Sequence, residues 1–361
     1  MYITYCRNQR TLGVVDTTQY RRDATAGEYR PTHLIRVSDW KKVPGKQVET
    51  GYCTLSFVWE QSGDVVQKEN VRVKFLPATR SKATIKHVTY EELLQQICKD
   101  FEIEYLWYDK ICIAQSDDEI KLREIKKMHK IYGNACYTVV IVPEVHIYDP
   151  KDFDTIDPVY DDIQASTDAW VDIIRKSLWW KRSWTLEDTM TSKRILVIGT
   201  GTQFWQHSLH TCDIPTTDDA FSLRMLGFAN QQQGGGSVNQ ALSQAHFRSS
   251  SKEHDKIFSL ANIFPDLFKN MKINYKDDIN KTLIHFYRTI ATHDLSILCF
   301  GSKLFENGEE IRVNTLKNHN LPSWTGVSGL HLDRRVTTTT AWLQSQHSIR
   351  DDMLFHISTK Y

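Results

Sequence analysis

Between residues 52 and 198, runs of β-forming apolar residues alternate with capped amphipathic segments. That alternation narrows the fold more than any other feature of the chain. Tyr52–Trp59, Tyr105–Ile113, Tyr137–Val142 and Arg194–Ile198 read as strands, and their near-continuous apolarity suits strands buried on both faces. Thr89-Tyr90-Glu91-Glu92 matches a capping box and opens a helix with Leu93, Leu94, Ile97 and Phe101 on one face. Ser116-Asp117-Asp118-Glu119 is a second box, and its helix turns Leu122, Ile125, Met128 and Tyr132 inward and stops at Gly133. Thr167 caps a third helix with Trp170, Ile173, Ile174 and Leu178 on one side. This order predicts an α/β fold, a mostly parallel sheet flanked by helices. Such sheets bind ligands beyond the carboxyl ends of their strands.

The flanks read differently. Residues 1–47 form an N-terminal arm, with Pro31–Val37 as a first strand and a turn-prone stretch from Trp40 to Thr50 around Pro44-Gly45. Val65–Ala83 reads as a hairpin or insertion, and the acidic stretch Pro150–Asp162 as a surface loop. Pro143 is expected to end the third strand. Residues 48–200 make the core domain, and 201–361 a mainly helical C-terminal extension. Helices are expected at Thr216–Phe228, Val238–Phe247, Glu253–Phe264 and Asp278–Thr292, a connector at Gln231–Gly236 and a strand at Leu295–Phe300.

Composition excludes several function classes. A formal net charge of +1 gives no bulk electrostatic case for nucleic acid or an anionic membrane. No apolar run approaches a membrane span, and no signal peptide is expected from the first residues. The 7 cysteines are scattered without a CxxC, which suits a reducing, cytoplasmic setting. His207, His210 and Cys212 lack a fourth partner at a usual spacing, so no metal site is expected. Gly199-Thr200-Gly201-Thr202 follows a strand but lacks the third glycine of a dinucleotide loop. Cys53, Cys98, Cys136 and Cys299 lie in apolar stretches and read as buried thiols.

The densest chemistry lies in Trp179-Trp180-Lys181-Arg182-Ser183-Trp184-Thr185-Leu186-Glu187-Asp188. Tryptophans there can wall a pocket, cations can hold phosphate, and a carboxylate can stabilise a developing positive charge. On a helix, Trp184, Glu187 and Asp188 stand at i, i+3 and i+4, roughly one face. Either acid can therefore serve the same pocket. A well-packed amphipathic helix with solvated charges is the plainer reading of the same residues.

Three segments resemble the motifs of the heterokaryon-incompatibility (HET) domain. Leu55-Ser56-Phe57-Val58-Trp59 is similar to its LSYxWG-like strand end, Trp107–Gln115 to its WIDxLCIxQ motif, and Arg182–Asp188 to its RGWTxQE motif, in matching order and spacing. Asp255–Leu260, Ile273-Asn274-Tyr275 and Leu321-Pro322-Ser323-Trp324 resemble segments that often follow the core in fungal members. The resemblance implies a TIR/flavodoxin-like fold and a role in cell-death or allorecognition signalling, through self-association or partner signalling proteins. It also implies cleavage of NAD at the nicotinamide–ribose bond, with NAD as substrate and no cofactor required. It places the catalytic carboxylate of TIR-like NAD hydrolases at Asp188, with Glu187 beside it. Ser56, Trp59, Asp109, Gln115, Arg182 and Trp184 become candidate nucleotide contacts. Asp188 replaces the family's glutamate, Glu187 its glutamine and Glu60 a glycine. A non-enzymatic assembly module with the same fold is the alternative.

Overall fold

The computed structural model describes residues 29–59, 103–146, 173–200, 203–205 and 238–293 apart from His246 and Ile273, with Gln95, Cys98 and four short strands after residue 300. The chain divides into two compact units, Met1–Trp180 with Thr191–Phe228, and Lys181–Met190 with Ala229–Tyr361.

The first unit is built on a sheet ordered β2-β1-β4-β3-β5-β6-β7. Its strands are β1 (His33–Arg36), β2 (Lys41–Pro44), β3 (Cys53–Ser56), β4 (Tyr105–Trp107), β5 (Thr138–His146), β6 (Ile195–Thr200) and β7 (Gln203–Trp205). The central four pair in parallel, and β1, β2 and β7 join antiparallel at the edges. Leu55, Leu106, Val139, Val140, Ile195 and Val197 are all buried, as continuous apolar strands require when both faces are covered. A chain of buried hydroxyls, Thr54 to Thr138 to Ser192, links β3 and β5 to the residues before β6. Packed against them, Trp107 and Tyr132 meet edge to face at 5.5 Å, and the Tyr52 hydroxyl donates to Ile131 O at 2.6 Å.

Local chemistry revises several expected elements. The second core strand stops at Trp107, and Asp109–Cys112 turn into a short helix, α1. The Tyr108 carbonyl accepts the Cys112 N–H at 2.9 Å, and Asp109 supplies the carboxylate that a helix start favours. The helix after residue 116 is two helices, α2 (Asp118–Ile125) and α3 (Met128–Asn134). Asp117 caps α2 by accepting the N–H groups of Glu119 and Ile120, both at 3.0 Å, and Gly133 lies inside α3 instead of ending it.

The third strand does not stop at Pro143. β5 runs on to His146, with a register shift between Ile141 and His146, the kind of irregularity at which a sheet tolerates proline. Leu178 is 52% exposed instead of inward-facing. Ser177 breaks the helical phase there: its hydroxyl donates to Ile174 O and accepts the Trp180 N–H. The new helix α4 (Leu178–Lys181) therefore buries Trp179 and Trp180.

The stretch around Pro44-Gly45 holds β2 and a 3-10 turn, Gly45–Gln47. A Cβ on Gly45 would lie 1.9 Å from Pro31 O, so only glycine fits this close approach. After Gly199 the chain returns as β7, with Ile198 opposite Gln203. An antiparallel hairpin at this point rules out a strand-to-helix dinucleotide loop. The expected helix at residues 89–101 lies outside the described residues except for Gln95 and Cys98, which are helical. The expected features at 65–83, 150–162, 167–172, 207–212, 216–228, 231–236 and 295–300 also lie outside them.

The second unit contains α5 (Trp184–Thr191, of which it holds residues through Met190), α6 (Val238–Ala245), α7 (Glu253–Ile263) and α8 (Ile279–His293). Two antiparallel strand pairs come after them, β8 (Phe305–Glu306) with β9 (Glu309–Glu310), and β10 (Gln346–Ile349) with β11 (Phe355–Ser358). Leu186 and Met190 from α5 share one apolar core with Leu242, Phe258, Leu283, Phe286 and Ile290. Phe268 stacks on Phe286 at 4.9 Å.

Leu55 fills the centre of β3 and is 1% exposed. Leu55→Ala is expected to lower unfolding free energy by about 2–5 kcal/mol, read as a fall in the urea midpoint with an unchanged slope.

Candidate functional site

The candidate residues fall into the two units, and each group has its own geometry. In the first, Ser56 ends β3, is buried, and accepts the Trp179 indole N–H at 2.8 Å. Trp59 donates its indole N–H to both carboxylate oxygens of Asp109, at 2.9 and 3.0 Å. Asp109 also accepts the Lys110 N–H at 2.7 Å, so it is fixed at the start of α1 and orients a half-buried tryptophan. Gln115 closes the loop after α1 by donating to Ile113 O at 3.3 Å and Asp109 O at 3.4 Å.

In the second unit, Arg182, Trp184, Glu187 and Asp188 surround the start of α5. The Thr185 hydroxyl donates to Arg182 O at 2.8 Å, and the Leu186 N–H to Ser183 O at 3.2 Å. A bridge between Arg182 and Ser249 stitches this start to the segment after α6. There the Ser183 N–H donates to Ser249 O at 2.9 Å, and the Ser249 N–H returns to Lys181 O at 2.5 Å.

This stitching delivers Arg248. Its side chain is fully buried and donates to Thr185 Oγ1 at 2.8 Å and to Arg182 O at 3.1 Å. Burial pushes the guanidinium down to about 9, and the charge of Asp188 opposes that fall. Asp188 is 5% exposed and Glu187 is 0% exposed. Asn262 on α7 donates to Glu187 Oε2 at 3.2 Å. Trp184 and Tyr275 both hydrogen-bond Asp255, the latter at 2.7 Å, and these bonds oppose the rise that burial imposes on its carboxyl. Lys252 sits 4.5 Å over the Tyr275 ring.

Residues 52–188 match the family model described as heterokaryon incompatibility protein (HET). This segment is similar to a HET domain. Neither a curated protein nor a solved structure matched the chain. HET domains are associated with heterokaryon incompatibility and cell-death signalling. Among the described residues no helix is long and apolar enough to cross a membrane, and no group of three or more side chains could hold a metal ion.

Sequence reasoning missed Arg248, Asn262 and Asp255 as partners of the acidic helix that ends the matched segment. The signal for Asp255 and Tyr275 was present, because both lie in segments that resemble those C-terminal to the core in HET proteins. Arg248 is a single arginine in a polar stretch, with nothing local to distinguish it from a solvated one.

Removing one member of a buried charge pair leaves the other uncompensated. Arg248→Met is therefore expected to cost about 3–5 kcal/mol, and adding Asp188→Asn to recover part of that loss. A double-mutant cycle by chemical denaturation measures both. Strict additivity would show that the two charges do not interact.

Proposed function

We propose that this protein acts in heterokaryon-incompatibility or cell-death signalling by hydrolysing NAD at the nicotinamide–ribose bond, with Asp188 as the catalytic carboxylate. The observation that carries the reading is a buried Asp188 within reach of the charge of the buried Arg248 guanidinium. Low exposure removes the water that would weaken the field of the carboxylate. The parallel order β4-β3-β5-β6 supports the TIR/flavodoxin-like fold that the reading assumes, since it corresponds to the 2-1-3-4 part of a flavodoxin-like sheet.

The chemistry asks little of a protein acid. The nicotinamide of NAD is already cationic and departs neutral when the C–N bond breaks. The ribose left behind is an oxocarbenium ion, which the Asp188 carboxylate stabilises electrostatically. Water adds to that carbon and loses a proton, giving ADP-ribose and nicotinamide. In this reading Arg182 and Trp184 contact the diphosphate and the departing ring, and Glu187 supports the helix start. Ser56 and Gln115 carry bonds that hold their loops.

Purified protein at high concentration is expected to release nicotinamide from NAD. Asp188→Asn is expected to reduce the rate by about 100-fold or more while thermal unfolding shows a folded chain. An unchanged rate in that variant, or no release by the parent protein, overturns the assignment.

The assembly reading rests on a separate observation: Glu187 accepts a hydrogen bond from Asn262, and the charge of Asp188 acts on the buried Arg248, as structural charges do. Toxicity on expression that survives Asp188→Asn favours it. Toxicity that vanishes with oligomer size unchanged rejects it.

A further inference from the structure

Two thiols meet at the starts of neighbouring strands in the first unit. Cys53 opens β3 and is buried, while Cys136 immediately precedes Tyr137 and β5 and is half-buried. The Cys136 N–H donates to Tyr52 O at 2.9 Å and the Thr54 N–H to Tyr137 O at 3.1 Å, so these segments run side by side. The Cys53 thiol hydrogen-bonds the Cys136 sulfur, which also takes bonds from the backbone of Tyr52 and of Cys136 itself. The Arg194 guanidinium adds a favourable charge, and the Tyr137 hydroxyl bonds the Cys53 sulfur. Cys98 is a third thiol whose field reaches Cys53.

These contacts act oppositely on the two sulfurs. Donation from Cys53 holds the Cys136 thiol down to about 7, against the burial that opposes it. Burial first, and then its role as donor, push Cys53 well above the ordinary thiol range. An accessible thiolate beside a second thiol is the arrangement that peroxide-sensing cysteines use.

We propose that Cys136 is a peroxide-reactive cysteine and Cys53 its resolving partner, so that the starts of β3 and β5 become joined by a disulfide. The Cys136 thiolate attacks one oxygen of hydrogen peroxide. The O–O bond breaks, and the departing hydroxide takes up a proton to leave as water. Cys136 is now a sulfenic acid. The Cys53 sulfur attacks that sulfur and the S–O bond breaks. The leaving hydroxide takes the Cys53 proton, forming a second water. Two electrons pass from the thiols to the peroxide, and two thiols with one peroxide give one disulfide and two waters.

The experiment treats the full-length protein with hydrogen peroxide, blocks the remaining thiols and maps proteolytic peptides by mass spectrometry. A Cys53–Cys136 link is expected, and Cys53→Ser is expected to divert Cys136 to the sulfinic acid. Cys136 in the reduced protein should alkylate about tenfold faster at pH 7 than an ordinary thiol, with a rate midpoint near 7. A Cys53–Cys98 link, no link, or Cys136 alkylation with an ordinary midpoint each overturns the assignment.

Discussion

Two adjacent carboxylates on α5, Glu187 and Asp188, are taken out of water, and the second unit is organised around that cost. A buried charge without compensation is among the most destabilising features a fold can carry. Compensation comes from far along the chain. Arg248 brings a charge that interacts with Asp188 and bonds the α5 start through Thr185 and Arg182, and Asn262 supplies a donor for Glu187. The backbone bridge at Ser249 and the apolar contacts of Leu186 and Met190 hold these partners in register. Catalytic and structural readings of the acidic pair start from the same network. They differ only in whether Asp188 also meets a substrate.

The first unit meets its own constraint with parallel strands buried on both faces. Their side chains leave little polar surface, so the few polar groups are paired with care. Thr54, Thr138 and Ser192 satisfy one another, and Ser56 takes the Trp179 indole N–H. Trp59 and Asp109 do the same at the loop ends beyond β3 and β4. A tryptophan held at its N–H keeps one orientation, which is what a ring-binding surface needs and what a packed loop also needs.

The core strands were legible because apolar runs such as Tyr137–Val142 and Arg194–Ile198 are long and uninterrupted. The errors arose where one side chain redirected the backbone. Tyr108 and Asp109 turned an apolar run into a helix, Ser177 reset the phase that exposes Leu178, and β5 carried Pro143 through a register shift. The acidic helix was legible as a dense cluster of chemistry. Its counter-ion was not, because Arg248 becomes special only through a bridge formed in three dimensions. The Cys53–Cys136 contact was hidden for the same reason, since the two thiols are distant in sequence and each lies in an apolar stretch.

The most direct measurement of the central claim is an experimental structure with a non-hydrolysable NAD analogue bound. The account predicts the nicotinamide-side ribose within hydrogen-bond distance of the Asp188 carboxylate, with Arg248 still beside it. An analogue bound elsewhere, with Asp188 enclosed by Arg248 and apolar side chains alone, would contradict it.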